Sequence, residues 1–237
     1  MAEIGRAAYA VFVEKGYRGA LVSDVAEALG LSHGLLYRYV ESKEALFLLA
    51  VRYVTRPESV EDLRIPAPAP AQGETIEYIS EWLRKHTRLP VLTRATKLAH
   101  TDDVCSELEG IIAEHYDTLA MVYPVLSLME RCARDIPELH SAYFLKTRRA
   151  VHRRVAGYLR MRIDSGQLKP VPDEGLAARF LIEAIAWFAW HRRVDPDSAM
   201  IPEDAARQTV IHLLVQAFCH DTERSSCETK EEALSGT

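Results

Sequence analysis

The sequence predicts an all-α protein built from a short helical head and a longer helical body. Three observations predict it. Apolar residues between Thr75 and Phe218 recur at three- and four-residue spacing, and no stretch alternates convincingly with period two. The 48% hydrophobic and 27% charged content of the 237 residues is that of a globular chain. Pro57, Pro66, Pro68, Pro70 and Gly73 crowd one interval, where prolines at every second position forbid a regular helix and favour an extended chain. The expected division is a head at 1–55, a Pro-rich linker at 56–74, a body at 75–220 and a flexible, mostly small and polar tail at 221–237.

Breakers and caps set the bounds of each element. In the head, Glu3 to Lys15 places Ile4, Ala8, Val11 and Phe12 on one face and stops at Gly16. A second helix from Ser23 to Leu29 is stopped by Gly30. Ser32 caps a short helix reaching about Tyr39, and Ser42 a longer one reaching about Val54. Body helices are expected near 75–88, 91–100, 103–133, 137–165, 173–193 and 203–219, separated by Pro90, Pro137, Gly166 with Pro170 and Pro172, and Pro196 with Pro202. Pro124 falls inside the third of these and predicts a kink.

Net charge is −5 and unevenly spread: residues 1–56 carry seven Lys/Arg against six Asp/Glu, so the acid excess lies in the remainder. An acidic bulk argues against coating nucleic acid non-specifically and leaves the near-neutral head available for it. No apolar stretch, including Ala45–Val51 and the Glu183-interrupted 180–191 segment, approaches the roughly 20 residues that span a bilayer, so no membrane span is expected. The amphipathic start, with Glu3 and Glu14, is unlike a secretory signal, and the expected location is cytoplasmic. Cys105, Cys132, Cys219 and Cys227 lie far apart without a CxxC pair and are read as free thiols.

Two short helices joined by Gly30-Leu31-Ser32 have the helix-turn-helix layout, in which the glycine takes the left-handed turn and the serine hydroxyl satisfies free amides of the next helix. That second helix is then the reading element. It presents His33, Gly34, Leu35, Arg38 and Tyr39 outward, while Leu36 and Val40 anchor it to the head's small core. Laid in the major groove, its first residues meet base edges, and Tyr37, Tyr39 and Lys43 suit the flanking phosphates. Such a head binds modestly on its own, so two heads acting together are expected.

The run Ala7-Ala8 with Phe12, Gly16-Tyr17, Val22, Val25-Ala26, Gly30-Leu31-Ser32, Gly34, Leu36-Tyr37-Arg38-Tyr39-Val40, Ser42-Lys43-Glu44 and Leu46 resembles the DNA-binding domain of the TetR family of transcriptional regulators over about residues 3–50. The resemblance implies that Ser32, His33, Gly34 and Leu35 touch bases or adjacent phosphates and that Tyr37, Tyr39 and Lys43 hold the backbone. It also implies a helical body that dimerises through its last two long helices and holds a small-molecule pocket whose filling moves the heads apart. There are departures. Ala20-Leu21 replace two hydroxyl residues that usually open the family's second helix, so that phosphate contact and cap are lost unless Ser23 substitutes. Val40 replaces a frequent aromatic, and the motif begins almost at Met1, so the short basic arm that some relatives carry ahead of it is either missing or lies outside this sequence.

In the body, the last two long helices would be 173–193 and 203–219. Phe180, Ala184 and Phe188 on the first, and Val210, Leu213, Leu214 and Ala217 on the second, supply apolar stripes that either form a homodimer interface or cover the monomer's own core. Small residues (Ala177, Ala178, Ala184, Ala186, Ala189) favour close helix approach and the dimer. Pocket candidates are Trp82, His86, Tyr116, Tyr123, Phe144, Trp187 and His191, with Met129 beside them, because buried phenols and imidazoles need partners that a ligand can provide. They point to a hydrophobic or aromatic effector. The run Lys146, Arg148, Arg149, Arg153, Arg154, Arg160 and Arg162 is either a solvated face or an anion site, with Arg148 and Arg162 the expected anion contacts.

No GxSxG, HExxH or comparable spacing occurs and the nine histidines are scattered, so neither catalysis, a metal nor a cofactor is expected. The expected partners are a double-stranded DNA operator, a small-molecule effector and a second copy of the chain, with no membrane. The sequence thus predicts an N-terminal three-helix helix-turn-helix DNA-binding domain followed by a larger helical ligand-binding and dimerisation domain. Its expected role is a ligand-responsive repressor released from a near-palindromic operator. The alternatives are an activator, or a helical ligand-binding or interaction module whose head does not bind DNA specifically.

Overall fold

The computed structural model describes residues 1–220, and the expected tail, with Cys227, lies outside the described residues. Among the described residues the order is α1 (Ala2–Gly19), α2 (Val22–Ala28), α3 (His33–Leu36), α4 (Lys43–Thr55), α5 (Glu74–His86), α6 (Pro90–Ala95), α7 (Val104–Cys132), α8 (Pro137–His140), a π-helical segment (Ser141–Arg148), α9 (Arg149–Asp164), α10 (Glu174–Ala189) and α11 (Glu203–Phe218). None of these helices is long and apolar enough to cross a membrane. The expected all-α fold is what forms. α7 passes through Pro124 as one helix.

The chain divides into two compact units, residues 1–89 with 117–153, and residues 90–116 with those from 154 onward. In the first, Phe12, Tyr17 and Phe47 meet edge-on or stacked at 5.1–5.9 Å, over a core that includes Ile4, Ala8, Leu36, Val40 and Leu46. The regular run of α1 breaks at Gly16, whose φ of 76° and ψ of 173° are open essentially to glycine alone. There the end of α7 grips α1. Arg131 donates from Nε and Nη2 to the Glu14 carbonyl, Asp135 accepts from the Arg18 amide at 2.8 Å, and the buried Cys132 thiol faces the Phe12 carbonyl. Burial and the charge of Asp135 push that thiol up to about 12. Tyr9 of α1 is likewise pushed up to about 12, by burial and by the neighbouring Tyr123 of α7.

The Pro-rich stretch expected as a linker lies on the head. Val60 and Ala67 are buried, and Ala67 bridges to Val40. Further along the unit, the single helix expected over 137–165 widens between Ser141 and Arg148, where Thr147 Oγ1 donates to the Ala142 carbonyl five residues back at 3.0 Å.

The second unit holds two corrections. Arg162 is fully buried, donating to Glu107 at 2.9 and 3.1 Å, to Gln167 Oε1 and to the Ala95 carbonyl. It is an internal tie and not an anion contact, because a guanidinium taken out of water needs its donors saturated by the protein. Nor are all the thiols free. Cys105 and Cys219 form a disulfide with their Cα atoms 5.9 Å apart, a pairing of residues 114 positions apart that spacing does not reveal. A second polar cluster gathers on Glu203, whose Oε1 takes Tyr116 and Arg193 and whose Oε2 takes Arg192.

Candidate nucleic-acid interface and effector groove

The reading element is built by its flanks. α2 ends with Gly30 at φ 65°, the Leu31 amide bonding the Ala26 carbonyl and the Gly30 amide that of Glu27, a pairing that closes a helix and turns the chain. Ser32 then caps α3, its Oγ accepting from the Leu35 amide at 3.3 Å. Leu36 and Val40, both fully buried, fix the face of α3 that looks inward. His33, Gly34, Tyr37 and Arg38 are left exposed, and Leu35 and Tyr39 half-buried. His33 and Tyr37 meet edge-on at 5.0 Å.

Two of the predicted contacts lie beside structural ties within the head. At the start of α2, Asp24 rather than Ser23 fills the missing cap: its carboxylate accepts from the Leu21 amide at 2.8 Å, and this bond with the Lys15 ion pair holds it below the usual carboxylate range. Ser23 stays exposed. Lys43 is half-buried, its ammonium 4.8 Å from the Tyr17 ring centre and 3.4 Å from the Arg18 carbonyl, so it ties α4 to the end of α1.

The residues predicted to line a pocket are spread over both units. In the first, Trp82 and His86 stack on each other at 4.3 Å, Tyr123 neighbours Tyr9, and Arg148 sits 5.7 Å from the Phe144 ring. In the second, Tyr116 is spent on Glu203, Trp187 is exposed against Phe188, and His191 stacks on Trp190. A groove of about 610 Å3 in the first unit is lined by none of these eight. It lies between α5 (Ile76, Ser80, Leu83, Arg84, Thr87), Met129 of α7, and the stretch from Glu138 through the π segment (Ser141, Ala142, Lys146, Thr147) to Ala150. Its volume suits a drug-sized molecule. Met129 carried a sequence signal. The others mix apolar, small, hydroxylated and charged residues on α5 and on the stretch from Glu138 to Ala150, a pattern that resembles any half-exposed helix until the fold sets the two walls opposite each other.

On α10 and α11 an apolar stripe stays uncovered within the protomer. Leu176, Phe180 and Trp187 are exposed, Phe180 by 63%, and Leu213 on α11 by 59%. Ala217 is exposed as well, Ala184 and Phe188 are half-buried, and Val210 and Leu214 sit within the protomer's own core.

Known proteins place this architecture. A model of the bacterial regulatory proteins of the tetR family matches residues 4–50, and a model of the AefR-like transcriptional repressor C-terminal domain matches residues 125–221. The HTH-type transcriptional repressor AcnR of Corynebacterium diphtheriae is 31% identical over 103 residues, 42% of this chain and 50% of that protein, so the chain spans half the length of this curated relative. Two solved structures share the fold: the ketosteroid transcriptional regulator KstR2 of Mycobacterium tuberculosis, at TM-score 0.53 and 17% identity over 92% of this chain and 94% of that one, and a TetR-family regulator from Mesorhizobium loti, at 0.52 and 17% over 92% and 96%. With the two models together matching more than half of the sequence, on the reading head and on the helical body behind it, the chain belongs to the TetR family of bacterial regulatory proteins.

Proposed function

We propose that this chain is a ligand-responsive transcriptional repressor that binds a near-palindromic DNA operator as a homodimer and leaves it when a small molecule fills the groove beside α5. The observation that carries the reading is α3: a helix anchored by Leu36 and Val40 that holds His33, Gly34, Tyr37 and Arg38 clear of the head. A head of this size grips few phosphates, and pairing two heads on half-sites about one helical turn, roughly 34 Å, apart multiplies the affinity. The stripe of Leu176, Phe180, Trp187 and Leu213 supports the pairing.

The groove supports an amphiphilic effector with an apolar body and an anionic end. Ile76, Leu83, Met129 and Ala142 supply apolar wall, and the exposed Arg84 and Lys146 outnumber Glu138 at the rim. The effector can weaken DNA binding by no more than its preference for the DNA-free arrangement of the heads.

The test begins by selecting genomic fragments on the pure full-length protein and measuring affinity for the retained fragment across salt concentrations. Tyr37→Ala with Arg38→Ala is expected to weaken binding at least about ten-fold and to flatten the salt dependence. Decanoate, the probe for the groove, is expected to raise Tm and release the fragment where decylammonium does not, and Lys146→Glu to abolish that difference. Equal retention of all fragments by the wild-type protein would defeat the DNA-reading proposal, and increased transcription from a promoter carrying the retained fragment would replace repressor by activator.

A further inference from the structure

The repeat Pro66-Ala67-Pro68-Ala69-Pro70-Ala71 alternates residues that lack a backbone N–H with residues that have one. Every donor it retains is used. The Ala67 amide donates to the Tyr39 carbonyl at 2.8 Å, the Ala69 amide to the Glu41 carboxylate at 3.1 Å, and the Ala71 amide to the Glu74 carboxylate in the first turn of α5 at 2.8 Å. The Ala67 carbonyl in turn accepts from the Glu41 amide at 3.0 Å. Ala67 thus clasps the main chain just past the end of α3, at Tyr39 and Glu41, Ala69 clasps the Glu41 side chain there, and Ala71 clasps the helix that walls the groove. Upstream, the Glu61 carboxylate accepts from the Ala2 amide at 3.1 Å, fastening the same stretch to the start of α1.

Prolines at every second position fix φ and make such a segment stiff, unlike a Gly/Ser connection that would absorb a displacement. Beneath it lies a void of about 90 Å3 against Leu48, Leu49 and Arg52 of α4, so the rod is held at its donors and not by close packing along its whole length. At its far end Gly73, at φ 82°, joins it to α5, whose Ser80, Leu83 and Arg84 face the groove. All of these residues belong to the first unit.

We infer that residues 60–73 are a rigid strap that carries the state of the groove to the reading helix, by holding the main chain at Tyr39 and Glu41 along a path separate from α4. A ligand that shifts α5 pulls on the rod, and the rod shifts or frees the end of α3 that sets the angle of Tyr37 and Arg38. The inference rests on the DNA-reading role proposed above and adds the route by which the groove would govern it.

The test uses the full-length protein and two ways of slackening the rod. Glu41→Ala removes the acceptor for Ala69, whereas Glu41→Gln keeps an acceptor while making the same change of charge. The second is Pro66→Gly with Pro68→Gly and Pro70→Gly, which leaves the donors but not the stiffness. Hydrogen exchange should find the Ala67, Ala69 and Glu41 amides protected in the wild-type protein, with Ala69 deprotected in Glu41→Ala and restored in Glu41→Gln. Affinity for the retained fragment should be about two- to ten-fold lower in Glu41→Ala than in Glu41→Gln, the worth of one hydrogen bond. Filling the groove with Ala142→Phe should change that affinity severalfold in the wild-type chain and less than two-fold in the triple-glycine chain.

Unprotected strap amides, equal affinities of the two Glu41 variants, or the same effect of Ala142→Phe with stiff and slack rods would each overturn the strap. A strap that is protected and responds to Ala142→Phe in exchange, in a protein that retains no fragment selectively, would instead overturn the DNA-reading role and leave the mechanical link standing.

Discussion

His115 on α7 is buried with neither ring nitrogen paired, and burial, reinforced by the positive charge of Arg154, lowers its pKa to about 4. Between that value and the ordinary value near 6.5 the unfolded chain binds a proton that the folded chain refuses. Stability is therefore complete above about pH 6.5 and lost as pH falls toward 4, by about 3 kcal/mol. Urea unfolding should show a midpoint that drops between pH 7 and 4.5, and His115→Leu should flatten the drop; an unchanged slope in the variant would remove His115 as its source. At this scale the sequence was legible where a residue acts through its nearest neighbours. Ser32 and Ser42 cap the helices expected of them, because a cap needs only an amide three residues on. It was not legible for Arg162, nor for the packing of Lys43 within the head. A cation's role follows from what packs against it, here Glu107 for the arginine and the Tyr17 ring for the lysine.

Gly16 and the end of α7 determine how α1 finishes. Glycine is required there because φ is positive with ψ extended, and an added Cβ would lie 3.1 Å from an Asp135 carboxylate oxygen. Gly16→Ala is expected to cost about 1–3 kcal/mol, which differential scanning calorimetry would register as a Tm lower by several degrees. An unchanged Tm would mean that the turn relaxes freely. Breakers were readable along the chain, so Gly16 and Gly30 end their helices where expected. The widening at Ser141–Arg148 was not, since no local preference separates a π segment from an α-helix of the same composition. That widening lines one wall of the groove, which is why a search for large aromatic residues missed it.

For the whole molecule, the uncovered stripe on α10 and α11 bears on assembly. Burying Phe180 and Leu213 against a twofold copy removes apolar surface that a protomer leaves in water. Phe180→Asp should shift the protein in sedimentation equilibrium from twice the chain mass of 26.7 kDa toward the single chain, and weaken operator retention with it. A wild-type protein that stays monomeric at micromolar concentration would end the dimer proposal.

The sequence by itself determined the all-α class, the starts of the helices capped by Ser32 and Ser42 and the place of the helix-turn-helix, because periodicity, caps and glycine turns act within a few residues; the helix after Ser32, expected to reach about Tyr39, stops at Leu36. Only the tertiary structure decided which cysteines pair, that Arg162 lies inside, where the groove opens, and that the Pro-Ala run is bonded to Tyr39 and Glu41 between α3 and α4. Those outcomes depend on contacts between residues far apart in the chain, whose meeting no local preference encodes.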